Sequence, residues 1–154
     1  MPKSKSHVPD GFQAVVPYFH LDGAARFLEF LTKAFGAEET FRSLTPDGKI
    51  MHATARIGNA VLEVSDATAQ WHAMPCAIHL YLPDTDAAYK NALSAGATSL
   101  YEPTDMFYGE RSGGITDPFG NKWYIATHVE DIPEEEMEER AQAYAKKQSQ
   151  QQQQ

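Results

Sequence analysis

The stretch DPFGNKWYIATH, residues 117–128, combines a tight turn with an alternating strand. Pro118 fixes one backbone dihedral and Gly120 tolerates a positive φ, so residues 117–120 have the chemistry of a β-turn. Successive side chains of a strand point to opposite faces, and both faces of residues 122–128 carry large groups. The stretch therefore predicts a strand that packs on a helix with one face and closes a cup with the other.

The same order of elements occurs twice in the chain. Apolar residues at helical spacing predict one helix over 23–35 and another over 85–95, and Gly36 and Gly96 follow them as C-terminal caps. Strands are predicted at 14–20, 38–45, 49–57 and 60–66 in the first half, and at 76–83, 98–103, 110–117 and 122–128 in the second. Each half reads β-α-β-β-β with a period of roughly 60 residues, longer than common solenoid repeats.

Three segments fall outside this repeat. Residues 1–11 are polar and residues 148–154 are rich in Gln, so both are predicted to be disordered tails. Residues 132–147 are predicted to form a surface helix, because acidic residues begin it and lysines end it. The remainder, 12–131, is predicted to be a single domain that comprises module one (12–67), a linker (68–75) and module two (76–131).

Composition limits the function classes. Acidic residues outnumber basic residues by 21 to 13, giving a formal charge of −8, so the cationic surface of a nucleic-acid-binding protein is missing. No apolar run approaches the roughly 20 residues that cross a bilayer, and the segment MPKSKSHVPDG has no hydrophobic signal segment. With one cysteine, Cys76, no internal disulfide is expected, and the composition predicts a cytoplasmic protein.

Strand parity divides the predicted side chains into two sets. The more uniformly apolar set, expected to face the helices, comprises Val16, Tyr18, Ala53, Ala55, Ile57, Leu62, Val64, Ile78, Leu80, Leu82, Trp123 and Ile125. His20 falls on the same parity and is given no role. The opposite set comprises Val15, Pro17, Phe19, His52, Thr54, Glu63, Ala77, His79, Tyr81, Tyr124 and His128. This second set mixes apolar, aromatic and ionisable groups, as ligand pockets do. The predicted fold class is therefore α+β, with two βαβββ modules whose curved mixed sheets form a cup, plus a C-terminal helix.

Four segments in this order resemble the vicinal-oxygen-chelate superfamily, which includes glyoxalases, bleomycin-resistance proteins and dioxygenases, and within it the PhnB-like branch. They are VPYFHLDGAARFLEFLTKAFGAEE (16–39), HATARIGNAVLEVSDA (52–67), HLYLPDTDAAYKNALSAGA (79–97) and YGERSGGITDPFGNKWYIATHVED (108–131). The resemblance implies paired modules that form a cup and a homodimer. Family enzymes hold a divalent metal through the first and fourth strands of each module, at positions that align here with Val15, Glu63, Ala77 and Tyr124. Only Glu63 keeps a metal-binding side chain, so no metal cofactor is predicted.

The candidate ligand-binding residues are Phe19, His52, Glu63, His79, Tyr81, Tyr108, Arg111 and Tyr124. Glu63 is the candidate catalytic base, or else a structural acid paired with a nearby cation. A divalent metal held by His52, Glu63 and His79 is an alternative that is less favoured than histidines bonded in a pocket wall. Arg111 either binds an anionic ligand group beside Tyr108 or pairs with Glu110, Glu63 or Asp117.

Three functions remain open at this point. The first is a cup that binds a drug-like or metabolite ligand without a metal, as bleomycin-resistance proteins bind without chemistry. The second is a lyase or isomerase that acts on a small oxygenated substrate, using Glu63, His79 or His52. The third is a vestigial cup whose dimer interface is the functional surface. Trp71, in the linker, either covers the cup or packs at that interface.

Overall fold

The first module begins with a short strand and a helix that connects it to three further strands. A computed structural model describes residues 2–153 and gives these elements the bounds β1 (Tyr18–Leu21), α1 (Ala24–Phe35), β2 (Glu38–Leu44), β3 (Ile50–Ile57) and β4 (Ala60–Asp66). The sheet order is β1-β4-β3-β2, with β1 parallel to β4 and the other pairs antiparallel. This is the β-α-β-β-β module predicted from the sequence.

The second module repeats this arrangement. Its elements are β5 (Ala77–Tyr81), α2 (Thr85–Ser94), β6 (Thr98–Asp105), β7 (Glu110–Thr116) and β8 (Lys122–His128). The order β5-β8-β7-β6, again with one parallel pair, matches that of the first sheet. Helix α3 (Glu134–Gln151) follows, so the predicted fold class of two βαβββ modules and a C-terminal helix is confirmed.

One carboxylate fixes the first helix to its sheet. The leading N–H groups of a helix have no partner inside it. Here Oδ1 of Asp66, at the end of β4, accepts hydrogen bonds from the backbone N–H groups of Gly23 (3.1 Å) and Ala24 (2.9 Å). Its Oδ2 accepts a third, of 2.7 Å, from Ile50 N–H at the start of β3. Asp66 therefore joins α1, β3 and β4 at the end of the sheet where β1 turns into the helix.

The two modules share one hydrophobic core. Phe19 of β1 stacks on Trp123 of β8 with 5.8 Å between ring centroids, and Phe27 of α1 meets Phe119 edge to face at 5.5 Å. Phe19, Phe27 and Trp123 are almost completely buried. The sequence leaves open whether the cup is formed within one chain or between two chains. The shared core uses the inner faces, and among the described residues no hydrogen bond or ring contact joins the outer faces of the two sheets.

The predicted facing of the first strand is wrong. Phe19, expected to face the cup, is 1% exposed in the core, whereas Tyr18 is 40% exposed on the outer face, together with His20. Val15 is 83% exposed and precedes the strand, which begins at Tyr18 rather than at residue 14. Apolar residues occupy both parities around Pro17, which has no N–H to donate to a sheet, so alternation alone could not fix the register.

The C-terminal helix is longer than predicted. Helix α3 continues through residues 148–151, which were expected to be disordered, because an unbroken run of polar residues without Pro or Gly does not end a helix. Its contacts with module two include Tyr144 against Phe107, 4.8 Å between centroids, and Arg140 bound to Glu130. Residues 2–17 contain neither helix nor strand. The first and last residues of the two predicted tails, 1 and 154, lie outside the described residues.

Among residues 2–153, no helix combines the length and the apolar composition that crossing a bilayer requires.

Candidate ligand-binding faces

The outer face of module one carries a chain of polar contacts built by the sheet register. Tyr18 lies opposite Glu63 across the β1–β4 pair, and Thr54 lies opposite Glu63 across the β3–β4 pair. His52, two residues before Thr54, shares this face. Its Nδ1 is 3.1 Å from the hydroxyl of Tyr18, and its Nε2 is 3.6 Å from Oε1 of Glu63. The face therefore joins a phenol, an imidazole and a carboxylate within contact distance.

Three aromatic rings lie beside this polar chain. Tyr18 and His20 stack with 4.6 Å between their ring centroids. Trp71 continues the row, with its ring nearly parallel to that of His20 and 5.9 Å from it. His20 is held by a 3.1 Å contact between its Nδ1 and the hydroxyl of Ser65. The rings form one wall of a groove of about 440 Å³, which is lined by Tyr18, His20, Ile50, Met51, Ser65, Asp66, Thr68 and Trp71.

The linker positions Trp71 over this groove. Thr68 accepts a 2.9 Å hydrogen bond from Trp71 N–H through its hydroxyl, and its own N–H donates to the Trp71 carbonyl at 2.9 Å. The indole is nevertheless 58% exposed, and Met51 across the groove is also 58% exposed. The groove thus presents large apolar groups to solvent. This exposure is compatible with both roles predicted for Trp71, as a cover of the binding site and as a residue of a dimer interface.

The outer face of module two is organised around Glu110. Tyr81 donates a 2.5 Å hydrogen bond to Oε1 of Glu110, and Nε2 of His79 lies 3.7 Å from Oε2. The rings of His79 and Tyr81 are 4.5 Å apart between centroids. Tyr124 lies opposite His79 across the β5–β8 pair. Although Tyr81 is 57% exposed, Glu110 is only 8% exposed, so the carboxylate lies beneath the rings.

Glu110 also affects the acidity of its tyrosine neighbours. Its hydrogen bond raises the pKa of Tyr81 above the ordinary value, and burial adds to this effect. The pKa of Tyr108 is raised first by burial and then by the charge of Glu110. Each ionised phenolate would be placed near an existing negative charge. Both phenols are therefore hydrogen-bond donors at neutral pH.

Arg111 forms ion pairs on the other side of strand β7. Its Nε and Nη2 bind Asp86 of α2 at 2.6 and 2.9 Å, and its Nη1 binds Asp105 of β6 at 3.1 Å. These bonds lower the pKa of Asp86 and raise that of Arg111. A structural pairing was one of the alternatives predicted for Arg111, but its partners are not Glu110, Glu63 or Asp117. The Arg111 guanidinium therefore connects β7 with the end of β6 and with α2.

The register does not bring together the four positions that the resemblance relates to metal ligands. Tyr18 pairs with Glu63 in module one and His79 pairs with Tyr124 in module two, whereas Val15 precedes β1 and Ala77 pairs with Lys122. Within residues 2–153, no three His, Cys, Asp or Glu side chains are grouped closely enough to hold a metal ion.

The alternative metal set is not assembled either. His52 and Glu63 lie on the outer face of module one, whereas His79 lies on that of module two beside Glu110. No hydrogen bond or ring contact of the described part of the chain joins these two faces. The side chains of a single chain therefore do not fit a family-type divalent metal.

Tyr18, His20 and Glu110 lie on these outer faces, although the sequence pattern does not predict a role for them. The first two were assigned to the wrong face by the parity error in β1. Glu110 was considered only as a partner for Arg111, yet strand alternation relates it to Ser112 and Gly114, which lie opposite Ala126 and Tyr124 on the outer face. Extending the parity rule from β8 to β7 would have identified Glu110.

The chain belongs to the Glyoxalase/Bleomycin resistance protein/Dioxygenase superfamily, whose family model matches residues 21–125. The uncharacterized protein Mb0911c of Mycobacterium bovis is 34% identical over 136 residues, which cover 81% of this chain and 90% of that protein.

Solved structures share the fold. TioX from Micromonospora sp. ML1 superposes with a TM-score of 0.60 at 19% identity, covering 75% of this chain and all of that chain. A PhnB protein from Bacillus cereus, described as a putative 3-demethylubiquinone-9 3-methyltransferase, gives 0.59 at 15% identity over 75% of this chain and 99% of its own. At these identities the likeness establishes the fold alone.

Proposed function

We propose that this protein binds a small aromatic molecule on the outer faces of its sheets, without a metal cofactor. The observation that carries the proposal is the row of rings Tyr18, His20 and Trp71, which forms the wall of an open groove. Trp71, 58% exposed at the end of this row, favours a planar ligand, because an aromatic face provides a large contact area with a defined geometry. Large exposed apolar side chains around a groove are typical of binding surfaces.

We further propose that the functional unit is a homodimer. The groove has only one wall of rings, while the outer face of module two carries the His79–Tyr81 pair and is directed away from the groove of the same chain. A second copy that lays its module-two face over the groove would enclose the ligand between rings from both copies. This arrangement reproduces a two-module cup from two chains. The lone Cys76 and the acidic composition fit a cytoplasmic location for such a protein.

Polar side chains at the groove would orient the bound ligand. Tyr18 lines the groove, and its hydroxyl connects the groove with His52 and Glu63, whose side chains are about one-third and one-quarter exposed. A ligand with an apolar ring and a polar substituent would place the ring on Trp71 and the substituent near the Tyr18 hydroxyl and His52. Binding of this kind sequesters a drug-like or metabolite molecule and requires no bond to be broken.

Fluorescence provides the test. Trp71 is exposed and Trp123 is 1% exposed, so a ligand in the groove changes the emission of Trp71 selectively. A panel of planar aromatic compounds is titrated in buffer that contains a metal chelator. Saturable quenching that is lost in Tyr18→Ala but kept in Tyr144→Ala, a matched exposed tyrosine on α3, supports the proposal. The absence of saturable binding across the panel, or binding only after metal is added, would refute it.

A lyase or isomerase remains the second candidate, because the Tyr18–His52–Glu63 chain has the composition of a general-base system. It predicts that a bound oxygenated substrate exchanges a carbon-bound proton with solvent. Proton exchange in deuterated water, followed by NMR and abolished in Glu63→Gln, would favour this candidate over simple binding.

A further inference from the structure

The structure assigns an organic cation as the ligand class for the outer face of module two, with Glu110 as its anchor. This inference deepens the proposed function and rests on it. It is carried by one atom: Oε2 of Glu110 is buried, and among the described residues it has no hydrogen-bond partner. A buried carboxylate oxygen without a donor is unfavourable, so an unpaired oxygen of this kind calls for a donor from outside the chain.

The surroundings of Oε2 provide an entrance for that donor. The side chain of Glu110 is 10% exposed, while the side chain of His79, whose Nε2 lies 3.7 Å from Oε2, is 45% exposed. This distance exceeds that of a hydrogen bond. Tyr81, which occupies the other oxygen, is likewise more than half exposed. A modest rotation of the His79 ring therefore opens Oε2 to a ligand without disturbing the core.

The chemistry of the face selects a cation over an anion or a neutral group. Oε1 of Glu110 accepts the hydrogen bond of Tyr81, and the neutral phenols Tyr81 and Tyr108 bring no positive charge that would attract an anion to its free oxygen. An ammonium or amidinium group that donates to Oε2 would also lie against the rings of His79 and Tyr81, where a cation is attracted by an aromatic face. The overall charge of −8 adds a favourable long-range field. The ligand class is an aryl-alkyl amine or an amidine, both of which are protonated at neutral pH.

NMR titration with two probes of the same shape tests the assignment. Benzylamine, protonated at neutral pH, and benzyl alcohol are titrated into the full chain while the side-chain signals of His79 and Tyr81 are followed. We expect benzylamine to bind about tenfold more tightly than benzyl alcohol, since a charge-assisted hydrogen bond replaces a neutral one. In Glu110→Gln the two affinities should become equal. In Glu102→Gln, an exposed glutamate on the same sheet, the tenfold preference should remain.

A further variant guards against loss of folding. Tyr144→Phe, at an exposed tyrosine of α3 outside this face, should keep the preference for benzylamine, and circular dichroism shows whether Glu110→Gln retains the wild-type fold. Equal binding of the two probes by the wild-type chain, no binding of benzylamine, or an unchanged preference in Glu110→Gln would overturn the assignment. Trp71 fluorescence reports on planar ligands in the groove of module one, whereas the His79 and Tyr81 signals report on the face of module two. Planar ligands that bind there while benzylamine shows no preference would therefore refute this inference and leave the proposed function standing.

Discussion

Phe19 and Trp123 stack face to face across the boundary between the modules, with 5.8 Å between their centroids and 9° between their planes. Each residue belongs to a different sheet, and both are about 1% exposed. This contact commits the inner face of each sheet to a common core. Among the described residues no hydrogen bond or ring contact joins the two outer faces, which is the reason for proposing that a second chain completes the binding cup.

Replacing Phe19 tests this shared core. Phe19→Ala is expected to lower the free energy of unfolding by about 3–5 kcal/mol, because it removes a buried aromatic ring and leaves a cavity against Trp123. Tyr18→Ala, one residue earlier but on the exposed face, should cost far less. Denaturant unfolding followed by Trp fluorescence and by circular dichroism measures both. Equal losses for the two variants would mean that the assignment of faces in β1 is incorrect.

Asp117 stabilises the turn that precedes β8. Its carboxylate accepts hydrogen bonds from Phe119 N–H (2.8 Å), Asn121 N–H (3.0 Å), Asn121 Nδ2 (2.9 Å) and Trp123 Nε1 (2.9 Å). Asp117→Ala leaves these buried donors without an acceptor and is expected to lower the free energy of unfolding by roughly 2–4 kcal/mol. Asp131→Ala, at a fully exposed carboxylate, serves as the control. A melting temperature that is the same for both variants would contradict this role.

The ionisation of Tyr81 reports on its bond to Glu110. Because the carboxylate accepts a hydrogen bond from the neutral phenol, the pKa of Tyr81 is raised above its ordinary value of 10.0. The stabilising effect of this bond is present below the unfolded-state pKa and is lost as pH rises through the higher folded-state pKa. The difference between the ultraviolet titration curves of wild type and Tyr81→Phe isolates the ionisation of Tyr81. This ionisation should occur at a higher pH than that of an ordinary tyrosine, and Glu110→Gln should move it to lower pH. A transition that Glu110→Gln leaves in place would refute the coupling.

The Asp86–Arg111 pair predicts an acid-sensitive component of stability. Its hydrogen bond to Arg111 lowers the pKa of Asp86 below the ordinary value of 3.8. The contribution is therefore present above 3.8 and is lost as pH falls through the lower folded-state pKa. Melting temperatures measured across this acid range should fall less steeply for Asp86→Asn than for wild type. Parallel curves would show that the pair contributes nothing to folding.

The sequence predicted the fold because its signals were redundant. Two helices with apolar spacing, matched turns and alternating strands occur in the same order in each half, so an error in any one element does not change the topology. Strand β1 is the element whose facing these signals do not predict correctly. Only four residues long and preceded by Pro17, it carries large side chains on both parities, and the tertiary contact between Phe19 and Trp123 decides its facing.

The binding faces were less accessible to sequence reasoning. His52, Glu63, His79, Tyr81 and Tyr124 were placed on outer strand faces, and the structure has them there. Their division into two separate faces depends on how the modules pack, which strand periodicity does not encode. The burial of Glu110 beneath exposed rings likewise follows from side-chain packing rather than from its position in the chain. Whether these residues bind a ligand stays a prediction.

A crystal structure of protein purified without chelator tests the central claim most directly. We expect two copies in which the Trp71 groove of one faces the His79–Tyr81 pair of the other, with density for an organic molecule between them after soaking with a compound that quenches Trp71. No metal ion should be coordinated by Glu63 or His79. A metal ion bound at stoichiometric occupancy by these two residues, or a soaked ligand located away from both outer faces, would contradict the account.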